Sequence, residues 1–123
     1  MLLKDFYTIT SIEKNDSQKY LAIIFINKNH DVFKGHFPGN PIMPGVCMMQ
    51  IIKELTEQIT QTSLLMQSLS NVKFMALINP EATPELRLEL DITETEDGLI
   101  KVKNTTFFDQ TVALKLGSVY KKL

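Results

Sequence analysis

His36 stands out among the titratable residues because of the chain around it. It opens the run His36-Phe37-Pro38-Gly39-Asn40-Pro41-Ile42-Met43-Pro44-Gly45, with three prolines spaced three apart, and an apolar series at helical spacing starts at Val46. Proline fixes its own φ and restricts the residue before it, so three in seven positions leave the loop few alternative shapes. A stiff loop carrying one titratable ring to the start of a helix suits a base, which must be held to within about half an ångström. A free imidazole titrates at about 6.5, so much of it is neutral and able to accept a proton near pH 7. Taken alone, a loop histidine is more often one held by a backbone carbonyl. The second histidine, His30, lacks this setting and reads as a turn residue.

The elements that must hold this loop follow from periodicity. From Val46 to about Gln61, apolar residues fall at Val46, Met49, Ile51, Ile52, Leu55 and Ile59, which predicts a helix. Pro44 suits its first turn, and Gln58, Thr60, Gln61 and Thr62 mark its end. The apolar face is broad, as in a helix wrapped by sheet. Upstream, Phe6 to Glu13 and Tyr20 to Asn27 read as strands joined through Lys14-Asn15-Asp16-Ser17, with Asn29 to Gly45 as loop. Downstream, strands are expected over Val72 to Ile78, Glu85 to Glu94, Ile100 to Phe108 and Val112 to Tyr120. In Glu85 to Glu94, Leu86, Leu88, Leu90 and Ile92 alternate with polar residues, so one face is buried and one solvated. The class is therefore α+β, with one long helix in a mainly antiparallel sheet. One helix cannot cover both faces of such a sheet, so either the outer face is polar or sheet edges pair across a subunit boundary.

Composition narrows the function classes. At 123 residues, 44% hydrophobic and 22% charged, the chain reads as one soluble globular domain, residues 1–123. A net charge of −1 and the scattered lysines argue against nucleic acid as a partner. The single cysteine, Cys47, permits no intrachain disulfide and points to a reducing compartment. Met1-Leu2-Leu3-Lys4-Asp5 has no leader pattern and no segment approaches 18 apolar residues, so a cytoplasmic protein away from the membrane is expected. No metal-ligand cluster or phosphate-binding loop is present, and neither metal nor cofactor is expected.

The loop and its flanks resemble the hot-dog-fold 3-hydroxyacyl-[acyl-carrier-protein] dehydratases of fatty acid synthesis. The signature H-F-P-x-x-P-x-x-P-G is matched without a gap from His36 to Gly45, after Phe33-Lys34-Gly35. Val72-Lys73-Phe74 and Ile78-Asn79-Pro80 are similar to the strand that follows the family's helix. The resemblance implies a sheet wrapped around one central helix, edge-to-edge dimers, and active sites at the subunit interface. It also implies acyl carrier protein or coenzyme A thioesters as substrates, with a homodimer, a higher oligomer or a mixed dimer as the assembly.

That resemblance assigns roles by position. His36 becomes the base that takes the C2 proton, and the Gly45 N–H, at the open helix start, faces the thioester oxygen. Phe37, Pro44, Val46 and Met49 are expected to contact substrate. The family carries an acid fourteen residues after the histidine and a glutamine four later; here the order is reversed, Gln50 then Glu54. Residues at i and i+4 share a helix face, with about 5–6 Å between Cβ atoms, so the pair is kept while the carboxyl moves along the axis. Three readings stay open: Glu54 is the displaced acid, another subunit donates a carboxylate, or the domain is a thioesterase or a non-catalytic acyl-binding subunit. A solvated Glu54 beside Lys53 is as good a reading as an acid. Cys47 reads as a small core residue, Met43, Met48, Met49, Met66 and Met75 as tunnel lining or core filler, and Lys34 and Lys53 as weak candidates for meeting an acidic carrier.

Overall fold

The computed structural model describes residues 4–123; Met1 to Leu3, part of the segment read for a leader, lie outside it. Six strands and two helices follow the order β1 Tyr7–Lys14, β2 Lys19–Ile26, α1 Val32–Gly35, α2 Gly45–Thr60, β3 Leu64–Phe74, β4 Glu85–Glu94, β5 Ile100–Phe108 and β6 Thr111–Lys122. All strands form one antiparallel sheet in the order β1-β2-β4-β5-β6-β3. The α+β class, the N-terminal hairpin and the single long helix agree with the pattern read from the sequence.

Helix α2 is held by its own periodicity. Cys47, Met48, Ile51, Ile52, Leu55 and Thr56 are buried, and at 3.6 residues per turn they share one side. Full burial of a Met, Ile or Leu side chain stabilises by about 1.5–3 kcal/mol each, so this stripe is what fixes the helix on the sheet. The one buried hydroxyl in the stripe, Thr56, donates to the Ile52 carbonyl at 2.7 Å and adds no unpaired polar group. Facing it, Leu86, Leu88, Leu90 and Ile92 of β4 are buried, while Glu85 and Glu89 on the other face are exposed, as are Lys101, Lys103 and Lys115 of β5 and β6. The outer face is therefore polar over β4 to β6, while β2 turns Leu21, Ile23 and Phe25 to that side.

Two elements depart from expectation. The strand after the helix runs Leu64–Phe74, not Val72 to Ile78. Register shifts between Met66 and Ser68 and between Ser70 and Lys73, with Asn71 at φ 53°, break the alternation that would have revealed it. Ladder bonds to β6 define the strand despite its polar composition. Secondly, the loop before α2 contains the one-turn helix α1, started by the Val32 N–H donating to His30 Nδ1 at 3.1 Å. The buried Phe33 anchors that turn, stacking on Phe6 at 5.4 Å between ring centroids.

Sheet edges fall at β1 and β3. Strand β3 and the residues after it expose Leu65, Leu69, Val72, Phe74, Met75 and Leu77. A long edge with that much apolar surface is suited to pairing with another chain. Among the described residues no helix is long and apolar enough to cross a membrane.

Candidate active site

His36 ends the α1 turn and is half-buried. Its main chain is tied to Ile42, whose N–H donates to the His36 carbonyl at 2.9 Å. Phe37 and Asn40 exchange two backbone bonds, of 3.1 and 2.9 Å, and Gly39 takes φ 72°, a conformation that favours glycine. The His36–Phe37 peptide is cis. The imidazole stacks on the Phe37 ring at 4.5 Å, and its Nδ1 lies 3.2 Å from the Ile42 carbonyl. A carbonyl only accepts, so Nδ1 carries the hydrogen and Nε2 keeps its lone pair. The carbonyl contact that marks an ordinary loop histidine thus also leaves a base-competent nitrogen.

Pro44, with φ −66° and ψ 140°, is the residue before helix α2, and its carbonyl accepts from Cys47 and Met48 at 3.1 and 3.3 Å. The Gly45 and Val46 N–H groups precede those bonds and point out of the helix start. No side chain caps this end and no acidic residue lies in its first turn, so the positive end of the dipole is left for a ligand. Next to it lies an apolar groove of about 570 Å³ whose wall includes His36, Phe37, Pro44, Gly45, Met48 and Phe74.

Gln50 and Glu54 are bonded to each other: Gln50 Nε2 donates to Glu54 Oε2 at 2.9 Å. Tyr7 of β1 donates its hydroxyl to Glu54 Oε1 at 2.8 Å. Burial first, then the hydrogen bond and charge of Glu54 and the charge of Glu57, push the Tyr7 phenol far above its ordinary value. Neither Gln50 nor Glu54 lines the groove of its own chain. The structure therefore brings His36 and Gly45 together and places the amide–carboxylate pair farther along the same helix.

Among the residues expected to contact substrate, Phe37 and Pro44 line the groove, while Val46 and Met49 do not. Val46 is 71% exposed, on the helix side opposite Met48 and Leu55, because its helical angle points away from the buried stripe. Met49 packs half-buried against the core, as does Met66; Met43, Met48 and Met75 line the groove. Lys34 pairs with Asp31 at 3.1 Å and Lys53 with Glu57 at 4.0 Å. Cys47 is buried, which raises its thiol above the ordinary range and keeps it protonated. His30 sits in a turn, with Nε2 on the Lys4 carbonyl at 3.0 Å and its ring edge-on to Phe6. Among the described residues no group of three His, Cys, Asp or Glu converges as metal ligands would. Neither Tyr7 nor Phe74 is a site candidate from sequence: Phe74 falls in the Val72-Lys73-Phe74 segment only as part of a strand, no local pattern marks Tyr7, and each meets the helix through long-range folding.

The fold has counterparts among known proteins. A 3-hydroxyacyl-[acyl-carrier-protein] dehydratase FabZ from Caulobacter sp. (strain K31) is 27% identical over 105 residues, covering 78% of this chain and 63% of the relative. The chain thus spans somewhat less than two thirds of that relative's length. Among solved structures, the dehydratase heterocomplex ApeI:P from Xenorhabdus doucetiae superposes with a TM-score of 0.70 at 21% identity, covering 94% of this chain and 96% of that one. A putative thioesterase, yhdA from Lactococcus lactis, gives 0.69 at 12% identity over 100% and 98% of the two chains. At these identities the superpositions establish the hot-dog fold alone. The family model for ApeI dehydratases matches residues 12–112, a span that includes the whole of the His36 loop and helix α2, and the chain belongs to this ApeI-like family.

Proposed function

We propose that the chain dehydrates 3-hydroxyacyl thioesters, carried on acyl carrier protein or coenzyme A, to 2-enoyl thioesters. His36 Nε2 takes the C2 proton, and the electron pair moves to form the C2–C3 double bond as the C3–O bond breaks. The hydroxyl leaves as water with the proton that His36 Nε2 has taken, which returns the imidazole to its neutral form. Charge growing on the thioester oxygen is met by the Gly45 N–H at the helix start, where an amide donor is worth most in a site shielded from water. One observation carries this reading: the Nδ1 bond to Ile42 leaves Nε2 as acceptor on a ring that shares an apolar groove with the Gly45 amide.

The departing hydroxyl is the task of Gln50 or Glu54. Since neither reaches the groove in its own chain, a second chain paired along β3 supplies them, in a homodimer or in a mixed dimer. The exposed apolar residues of β3 support such pairing, and the ApeI:P neighbour is itself a heterocomplex. The same observation favours a second reading, in which this chain binds acyl groups and completes the site of an active partner.

The test is the ultraviolet absorbance of a 2-enoyl thioester formed from a 3-hydroxyacyl thioester, followed for the wild type and His36→Ala. Formation that His36→Ala abolishes supports the dehydratase. Release of free thiol would instead support a thioesterase, and turnover only after adding a second dehydratase-like chain would support the accessory subunit.

A further inference from the structure

We propose that Tyr7 is a positioning residue that acts through Glu54 to fix the Gln50 carboxamide, making Glu54 an anchored anion behind Gln50 and Gln50 the group presented to the substrate hydroxyl. This rests on the dehydratase reading above. Tyr7 and Glu54 are 47 residues apart in sequence, yet the phenol donates to Oε1 at 2.8 Å while the Gln50 amide donates to Oε2 at 2.9 Å. Both carboxylate oxygens accept, one from β1 and one from the preceding turn of α2, so the side chain is held from two elements.

The orientation of Gln50 follows from that carboxylate. Its nitrogen must face Glu54, since a carbonyl oxygen there would oppose two acceptors. The second Nε2 hydrogen and Oε1 are then turned away from Glu54, available to a ligand. A primary amide has no proton to release near neutral pH, so its contribution to a departing hydroxyl is orientation. Charge-assisted bonds are stronger than neutral ones, and two of them on one carboxylate limit the freedom of a side chain that otherwise has three rotatable bonds. Tyr7 suits the anchoring role because burial and the adjacent carboxylate keep its phenol protonated, so it stays a donor and does not compete as an acid. Glu57, the other carboxylate acting on Tyr7, is occupied elsewhere, accepting the Leu64 N–H at 2.8 Å and lying 4.0 Å from Lys53 Nζ.

A double-mutant cycle of Tyr7→Phe and Glu54→Gln, with kcat and KM measured separately on a 3-hydroxyacyl thioester, tests the coupling. Tyr7→Phe should lower kcat on the order of three- to tenfold with KM unchanged, and should cost nothing further in the Glu54→Gln background. An equal fall in both backgrounds, or a change confined to KM, overturns the proposal, because a tyrosine that only packs would behave that way. A second readout does not depend on turnover: the Gln50 side-chain amide resonances in a ¹⁵N spectrum. One Nε2 proton should be shifted downfield and exchange slowly in the wild type, lose this character in Glu54→Gln, and weaken in Tyr7→Phe. Identical Gln50 signals in all three proteins overturn the clamp. The expected changes in a protein that forms no enoyl product would support the clamp and fault only the assigned reaction.

Discussion

The Phe74 ring lies directly against Gly45: a Cβ built on that glycine would sit 2.7 Å from the ring Cζ. The first residue of α2 is therefore bare because an aromatic side chain covers it, and the same ring walls the groove. Phe74 is 58% exposed and free to swing, so Gly45→Ala should change stability by less than about 1 kcal/mol. It should still lower kcat/KM by about tenfold as the ring is pushed from its place. Adding Phe74→Ala should recover part of that loss. Thermal melts and steady-state kinetics on the single and double variants check both halves.

The tautomer of His36 is directly measurable. Long-range ¹H–¹⁵N correlation at pH 8 should show a protonated Nδ1 and an unprotonated Nε2, as the bond to the Ile42 carbonyl requires. The reverse tautomer would remove the lone pair that the reaction needs. Replacing His36 by alanine should cost roughly 10²–10⁴-fold in kcat, the range of general-base catalysis.

Gln50→Glu would place two carboxyl groups where an amide and a carboxylate now bond at 2.9 Å. Like charges that close cannot both ionise easily, so the pair holds a shared proton up to a higher pH than either would alone. That proton is what a departing hydroxyl takes. Dehydration should rise by about tenfold or more, with an alkaline limb in the pH–rate profile that the wild type lacks. No increase would count against Gln50 as the residue that faces the hydroxyl.

Stability should fall on the alkaline side in two stages. Cys47, Tyr7 and Tyr120 all hold their protons more tightly in the fold, chiefly through burial, from ordinary values of 9.0 for the thiol and 10.0 for the phenols. Above those values the unfolded chain has released protons that the folded chain still binds, so the free energy of unfolding declines with rising pH. Their contribution is complete below about pH 8. Melting temperatures from pH 7 to 11 should stay level, then drop from about pH 9; Cys47→Ala should remove the earlier part of the drop and Tyr120→Phe part of the later one.

Leu69→Lys on β3 should weaken self-association, because a charge in the apolar edge opposes pairing. Light scattering coupled to size exclusion should show a smaller species, and activity should fall with it if residues from two chains complete the site. A variant that stays associated would move the interface away from β3.

How far the sequence revealed the fold depended on whether local pattern and tertiary structure agreed. Strand β4, Glu85–Glu94, lies between two paired neighbours with one face on the helix, so burial alternates as its sequence does. Strand β3 was read eight residues late because an edge strand with two register shifts buries little, and ladder bonds rather than side-chain burial hold it. The His36 loop was legible because prolines dictate local geometry whatever lies beyond. Val46 lies exposed, outside the buried stripe: an apolar residue at helical spacing does not say which way the helix faces. Tyr7 was silent for a different reason: its meaning lies in a bond across 47 residues of chain.

Phe6 and Tyr7 are neighbours that reach opposite parts of the machinery. Phe6 packs on Phe33 and His30, in the turn that leads to the imidazole, while the next side chain grips the helix at Glu54. Two consecutive residues, at and just before the start of β1, thus tie the turn ahead of His36 and the middle of helix α2 to one short piece of backbone.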